Sequence, residues 1–364
     1  MRSASRFLIF VCLVGCSLGT RVARADDPST QTPPVLLQMI RDDAIHRDLG
    51  LSASQVAQVV RVLDEIDGPW FRARNLPVDQ QREKIAELTA QLESALAGIL
   101  SLEQRSRVNQ LICQALGTRM VLRDDVVSAL GLSADTVLAF REAFQETDRR
   151  AAEIQKKLSA NELDAQAANE EVNQLKAKER QTLVKLLSNE QKASIGELTG
   201  EAFDFSQVRR TYPLAPELSG EGATWIQGGP LTLEELRGKV VAVHFYAFQC
   251  INCQRNFPHY QAWHESYADK GLVIIGIQTP ETATERNFDR VAAAVKSDGI
   301  EYPVLMDAQS SNWKSWSNTM WPTVYLIDKR GFIRRWWQGE LNWQGTPGEQ
   351  QMRKSLERLL SEDT

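Results

Sequence analysis

The hydrophobic pattern of this 364-residue chain changes period near residue 200, which rules out one layer arrangement for the whole of it. From about 36 to 200, apolar residues recur at helical spacing in a background of Ala, Leu, Gln, Glu and Arg. Beyond about 220, runs of Val, Ile, Phe, Tyr and Trp alternate with helical stretches, the mark of strands joined through helices. The length also exceeds what one hydrophobic core ordinarily serves. The expected architecture is two domains: an all-α antiparallel helical repeat module over residues 39–200 and an α/β domain over 223–364. Residues 26–38 read as a flexible leader, and residues 201–222, with Pro213, Pro216 and several glycines, as a linker.

The helical part repeats. "RDLGLSASQV" from Arg47 matches "SALGLSADTV" from Ser128, and "GILSLEQRSRVNQL" from Gly98 matches "KLLSNEQKASIGEL" from Lys185. Leu49 and Leu130 are 81 residues apart and Ser101 and Ser188 are 87 apart, so two tandem units of about that length are expected. Ser52, Ser101 and Ser188 are each followed three residues later by Gln, the capping box that satisfies free amides at a helix start. Ser133 is followed by Thr136 and keeps only the serine cap. Each unit then runs short helix, turn, long helix, return helix, turn, short helix. These turns resemble the "LTxxQ" motifs of small periplasmic Spy/CpxP-type helical proteins, which implies a chaperone or stress-modulating role. A helical spacer or docking module is the alternative. Cys113, on an apolar helical stripe, reads as a buried inert thiol.

The first 25 residues carry a targeting signal rather than structure. Arg2 and Arg6 precede the short apolar core "FLIFVCLVG", and Ala23-Arg24-Ala25 offers a cleavage site. A second reading overlaps it, because "LVGC" ending at Cys16 resembles a lipobox and would place a lipid anchor on Cys16; Cys12 and Cys16 as plain apolar filler is the bland alternative. Either route exports the chain to the periplasm or cell envelope, an oxidising compartment. The net charge of −5, without basic blocks, argues against nucleic acid as a partner.

In the α/β part, strands are expected at 239–247, 271–279, 323–328 and 332–338, and helices at about 252–269, 284–298 and 349–360. Lys329-Arg330-Gly331 makes a tight hairpin between the last two strands, giving a small mixed sheet with helices on both faces. Cys250 and Cys253 then occupy a strand-to-helix turn. The free amides and positive dipole end of a helix start favour a thiolate at Cys250. Cys253, almost one turn on, shares its face and could resolve a mixed disulfide. So short a disulfide would contribute little as a staple.

"GKVVAVHFYAFQCINC", Pro258 five residues after Cys253, "KGLVIIGIQTPE" and "MWPTVYLIDKRGFIRRWWQGE" together resemble the thioredoxin-like fold, in its exported TlpA/DipZ-type branch of thiol-disulfide oxidoreductases. The resemblance covers about 150 residues. It implies Cys250 as nucleophile, Cys253 as resolving thiol, and Pro322 as a cis-proline that holds the Trp321 backbone against a substrate cysteine. It implies no cofactor beyond the Cys250–Cys253 redox disulfide. The partners implied are client proteins with disulfides or thiols and an upstream redox partner, which an exported enzyme would meet at the membrane.

The departures also inform. Gln249 stands where many relatives have Trp. His244 stands where thioredoxins bury a proton-accepting Asp, so it is either a proton acceptor for Cys253 or a packed strand histidine. Glu281 matches the branch but suggests no role. Ile251-Asn252 between the cysteines does not reveal a redox direction. A zinc site would need His244, His259 and His264 to converge with the cysteines, and no metal is expected. Ala247, three residues before Cys250, breaks the P-x-x-x-T-x-x-C signature of thiol peroxidases. Six of the nine tryptophans fall between Trp313 and Trp343, readable as core and interdomain packing or as an aromatic docking surface. The competing reading of the whole is a non-enzymatic envelope protein, with client-binding repeats and the α/β domain as a scaffold.

Overall fold

The computed structural model of the chain describes residues 34–160 and 162–362. The expected targeting segment, with Cys12 and Cys16, lies outside the described residues. Two compact units emerge, and they do not follow chain order. One comprises the residues up to Gln55 together with Leu96–Arg209; the other joins Val56–Ala95 to the residues from Arg210 onward.

The helices of the N-terminal part are α1 (Val35–Met39), α2 (Asp43–Asp48), α3 (Ala53–Ala73), α4 (Val78–Ile99), α5 (Leu102–Leu116), α6 (Asp124–Leu130), α7 (Ala134–Ser159), α8 (Ala165–Leu186) and α9 (Asn189–Thr199). The repeated turns form as the sequence requires. Ser101 and Ser188 each close a full capping box, Ser52 and Gln55 bond reciprocally, and Ser133 caps alone. The glutamine does a second job with its other end. Gln104 Nε2 donates to the Leu49 carbonyl at 3.2 Å and Gln191 Nε2 to the Leu130 carbonyl at 2.9 Å. One amide thus caps a helix with its oxygen and clasps the preceding "LGLS" turn with its nitrogen, which explains why Ser and Gln recur with these leucines. α7 and α8 pair around a small core of Ile154, Ala168 and Leu175. Cys113 is buried, and its burial raises the thiol pKa, the electrostatics of an inert group.

The second unit holds a six-stranded sheet built from β1 (Ala223–Gln227), β2 (Val240–Tyr246), β3 (Leu272–Gln278), β4 (Val304–Asp307), β5 (Thr323–Ile327) and β6 (Ile333–Gln338), ordered β1-β4-β3-β2-β5-β6. β2 runs parallel to β3 and antiparallel to β5. Side chains alternate across it, as pleating dictates. Val240, Ala242 and Tyr246 face α10 (Ile251–Tyr267), α11 (Phe288–Ser297) and, later in the chain, α13 (Gly348–Ser361). Val241, Val243 and Phe245 face the opposite side with Trp316, Leu233 and Phe71.

That opposite face explains why the second unit draws on an upstream segment. Among the described helices that follow β1, only the five-residue α12 (Ser311–Ser315) adjoins it. The cover comes from α3, whose Phe71 is 3% exposed and meets the rings of Tyr325 and Trp336 edge-on. Trp336 and Trp337 point to opposite faces, and both pack: Trp336 against Phe71 and Tyr212, Trp337 against the α10 side.

Two segments read as loose are packed. Val35–Met39, at the end of the expected leader, is helical and buried because all but Gln38 of its side chains are apolar. Within 201–222, Phe203, Phe205, Val208 and Leu214 are buried. Ala215 N–H bonds the Gly331 carbonyl at 2.9 Å and Ile333 N–H the Pro213 carbonyl at 3.0 Å. Proline removes only its own donor, so its neighbours remain free to extend the sheet edge.

Candidate active site

The site grows from the end of β2. The chain leaves the sheet at Ala247, turns with Cys250 N–H bonded to the Ala247 carbonyl at 3.1 Å, and enters α10 with Cys250 as its N-cap. Both thiols are free. Cys253 is completely buried, while Cys250 is partly exposed. The Cys253 thiol hydrogen-bonds the Cys250 sulfur and lowers the Cys250 pKa to about 7. The backbone N–H groups of Cys253 and Asn252 act in the same sense; partial burial and the Glu281 carboxylate oppose them. Cys253 itself is pushed far above the usual thiol range, first by burial and then by donating to Cys250. One sulfur is prepared to be a nucleophile, and the other holds its proton until that bond is broken. Pro258 lies inside α10, where the resemblance places it.

Pro322 immediately precedes β5. The register that sets Phe245 opposite Thr323 brings it to the end of β2, beside the cysteines. The Trp321–Pro322 peptide bond is cis. Trp321 and Cys250 both pack against the core on the α10 side of the sheet, and Trp321 stacks on Trp313, centroids 4.0 Å apart. Its backbone N–H and carbonyl take no partner among the described residues. This leaves the residue before the cis-proline with unpaired backbone groups, a place where another strand could pair.

His244 is fully buried with no partner for either ring nitrogen. It stacks on Tyr260, centroids 4.4 Å apart, and on Tyr246. Gly276 across the parallel ladder makes room for it, since a Cβ there would come within 3.0 Å of His244 Nε2. Desolvation lowers its pKa to about 3, so the imidazole is neutral and resists taking a proton. Both tyrosines lie within electrostatic reach of Cys253.

The structure adds residues the sequence did not single out. Buried Glu285 accepts from the Gln249 N–H through Oε1 at 2.9 Å and from the Glu281 and Thr282 N–H groups through Oε2 at 2.7 and 2.9 Å. This ties the loop after β3 to the residue before Cys250. The "T-x-x-E" of Thr282 and Glu285 is a capping-box signature and was the available signal. The same tie holds Glu281 where its charge opposes ionisation of both thiols. Of the histidines weighed as metal ligands, His259 Nε2 is 3.3 Å from the Asn342 amide, while His244 and His264 both pack against Tyr302. Among the described residues, no group of three or more His, Cys, Asp and Glu side chains comes together as a metal site.

Residues 214–336 match the model of the AhpC/TSA family. The C-terminal region is a thioredoxin-like domain. This domain is similar to Protein DipZ of Mycobacterium bovis, 39% identical over 152 residues, which are 41% of this chain and 21% of that protein. It is similar also to the thiol-disulfide oxidoreductase ResA of Bacillus thuringiensis, 29% identical over 118 residues, 32% of this chain and 65% of that protein. A solved thiol-disulfide isomerase from Corynebacterium glutamicum is 25% identical with a TM-score of 0.36, covering 41% of this chain and 98% of that one. The chain thus spans about a fifth of the length of the DipZ protein it matches. The helical part precedes the matched residues.

Proposed function

We propose that this chain is an exported thiol-disulfide oxidoreductase that acts on protein disulfides or thiols through Cys250 and Cys253. The observation that carries the reading is the asymmetry of the pair: an accessible sulfur with a pKa lowered to about 7, bonded to a buried thiol held protonated. The likeness to a protein named thiol-disulfide oxidoreductase supports it.

In the reducing direction the Cys250 thiolate attacks one sulfur of a client disulfide. That S–S bond breaks, the other client sulfur leaves as thiolate, and a Cys250–client mixed disulfide remains. Forming it removes the acceptor of the Cys253 hydrogen bond. Cys253 then gives its proton to the departing client thiolate and attacks Cys250 sulfur, releasing the second client thiolate and closing the Cys250–Cys253 disulfide. The client gains two electrons and the pair loses two. The cis-Pro322 strip would hold the client backbone at Trp321 during the exchange. No step needs His244, whose protonated form burial disfavours. An upstream redox partner resets the pair, and its potential fixes the direction. Export through the N-terminal segment, by cleavage after Ala25 or with a lipid on Cys16, would bring the enzyme to oxidised clients.

The test is turnover. The full mature chain, supplied with a dithiol, should reduce the interchain disulfides of insulin, and Cys250→Ser should abolish that rate. A wild-type chain no faster than the dithiol alone would favour the scaffold reading, with the helical repeats as the working part.

A further inference from the structure

The α3–α4 turn reaches the strip that leads to Pro322. Arg74 Nη2 donates to the carbonyls of Trp316 at 2.6 Å and Ser317 at 3.0 Å and to the Tyr325 hydroxyl at 3.1 Å. Asn75 Nδ2 donates to the same Ser317 carbonyl at 2.6 Å. The Arg74 guanidinium also lies over the Phe71 ring, 3.6 Å from its centroid. Ser317 needs this support. Its φ of +47° is in the left-handed region that a residue with a Cβ seldom occupies, so its surroundings must hold it there. The Tyr325 hydroxyl continues the lattice by donating to Asn318 Oδ1 at 2.6 Å. Three residues separate Ser317 from the cis peptide's Trp321, and Trp321 is stacked from the other side on Trp313. The position of the Trp321 backbone is thus set from two sides: by the stacked indoles, and by a cation contributed from outside the matched domain.

Resting on the proposed exchange chemistry, we propose that Arg74, assisted by Asn75, is a positioning residue for client recognition, aligning the Trp321–Pro322 strip to pair with a polypeptide around its disulfide. The chemistry at Cys250 does not touch Arg74. A client that binds through backbone pairing depends on the strip's alignment, whereas a small disulfide that meets only the sulfur does not. Lysine could replace the charge but not the fork, whose Nη1 holds the Phe71 carbonyl at 2.6 Å while Nη2 reaches the Trp316 and Ser317 carbonyls.

The test compares wild-type, Arg74→Ala, Arg74→Lys and Asn75→Ala chains on insulin and on hydroxyethyl disulfide, with melting curves for each. Expected for Arg74→Ala is an insulin KM raised about tenfold with kcat little changed, and hydroxyethyl disulfide turnover within about twofold of wild type. Lysine should restore part of the insulin KM, and Asn75→Ala, which removes one exposed bond, should raise it by a smaller factor. Equal losses on both substrates, or an unchanged insulin KM in Arg74→Ala, overturn the inference. If Arg74→Ala does not fold, an unchanged insulin KM in both Arg74→Lys and Asn75→Ala does so. A wild-type chain inert on both disulfides overturns the exchange reading itself, a separable result.

Discussion

The Cys253 thiol is wholly buried and donates to the sulfur of Cys250, which is not. This one hydrogen bond links the reactivity of the exposed cysteine to the silence of the hidden one. Alkylation of Cys250 followed against pH should therefore titrate with a midpoint of about 7, below an ordinary thiol. Cys253→Ala removes the donor and should move the midpoint up. An unshifted midpoint in that variant would assign the effect to the helix amides alone.

Glu281 acts in the opposite sense. Its charge raises the pKa of both thiols, so Glu281→Gln should shift the Cys250 alkylation midpoint to lower pH and raise the rate at pH 6. A midpoint that moves up would contradict the placement of the carboxylate beside the pair.

His244 gives a pH signature in stability. Its folded pKa, lowered to about 3 by burial, lies below its ordinary 6.5, so on acidification the unfolded chain binds the proton first. The contribution is fully present above about pH 6.5 and declines towards pH 3, at up to roughly 1.4 kcal/mol per pH unit. Urea midpoints measured at pH 7 and pH 5 should show a loss in the wild type that is smaller by about 2 kcal/mol in His244→Leu. Equal losses in the two chains would mean that another group carries the dependence.

Asp328, at the β5–β6 hairpin, is 4% exposed and receives two guanidinium groups, Arg210 Nε at 3.0 Å and Arg334 Nη1 at 3.1 Å. Its other oxygen accepts the N–H groups of Arg330 and Phe332. Asp328→Ala should cost about 1.5 to 3 kcal/mol in chemical denaturation, because it removes one buried carboxylate shared by two guanidinium groups, Arg334 keeping its bonds to Glu362. A cost under about 1 kcal/mol would show that water replaces the carboxylate.

Much of this was legible because it was periodic or locally forced. The near-continuous apolar run at Val240–Tyr246, the helix after Cys250 and the serine caps at Ser101 and Ser188 each follow from a pattern that a strand covered on both faces, a helix or one turn demands. What escaped was short or non-local. β4 has four residues, all buried, too few for a period to show. β1 is a half-buried edge strand with an irregularity between Trp225 and Gln227. No local rule could reveal that Phe71 and Arg74, in helical sequence far upstream, cover and brace a sheet that begins about 150 residues later, because that depends on which face lacked a helix of its own. At the site, the cysteines were marked by their spacing at a strand-to-helix turn, and Pro322 by the family resemblance. Glu285 offered only its capping signature with Thr282, because its partners are backbone amides whose own identity carries no signal.

The most direct measurement is capture of the exchange intermediate. In the full chain with Cys253→Ser, attack by Cys250 on an oxidised client should stop at the mixed disulfide, giving on a non-reducing gel adducts that dithiothreitol releases and that are absent from the Cys250→Ser, Cys253→Ser double variant. A Cys253→Ser chain that traps no partner from oxidised protein, or traps equally well without Cys250, would contradict the account.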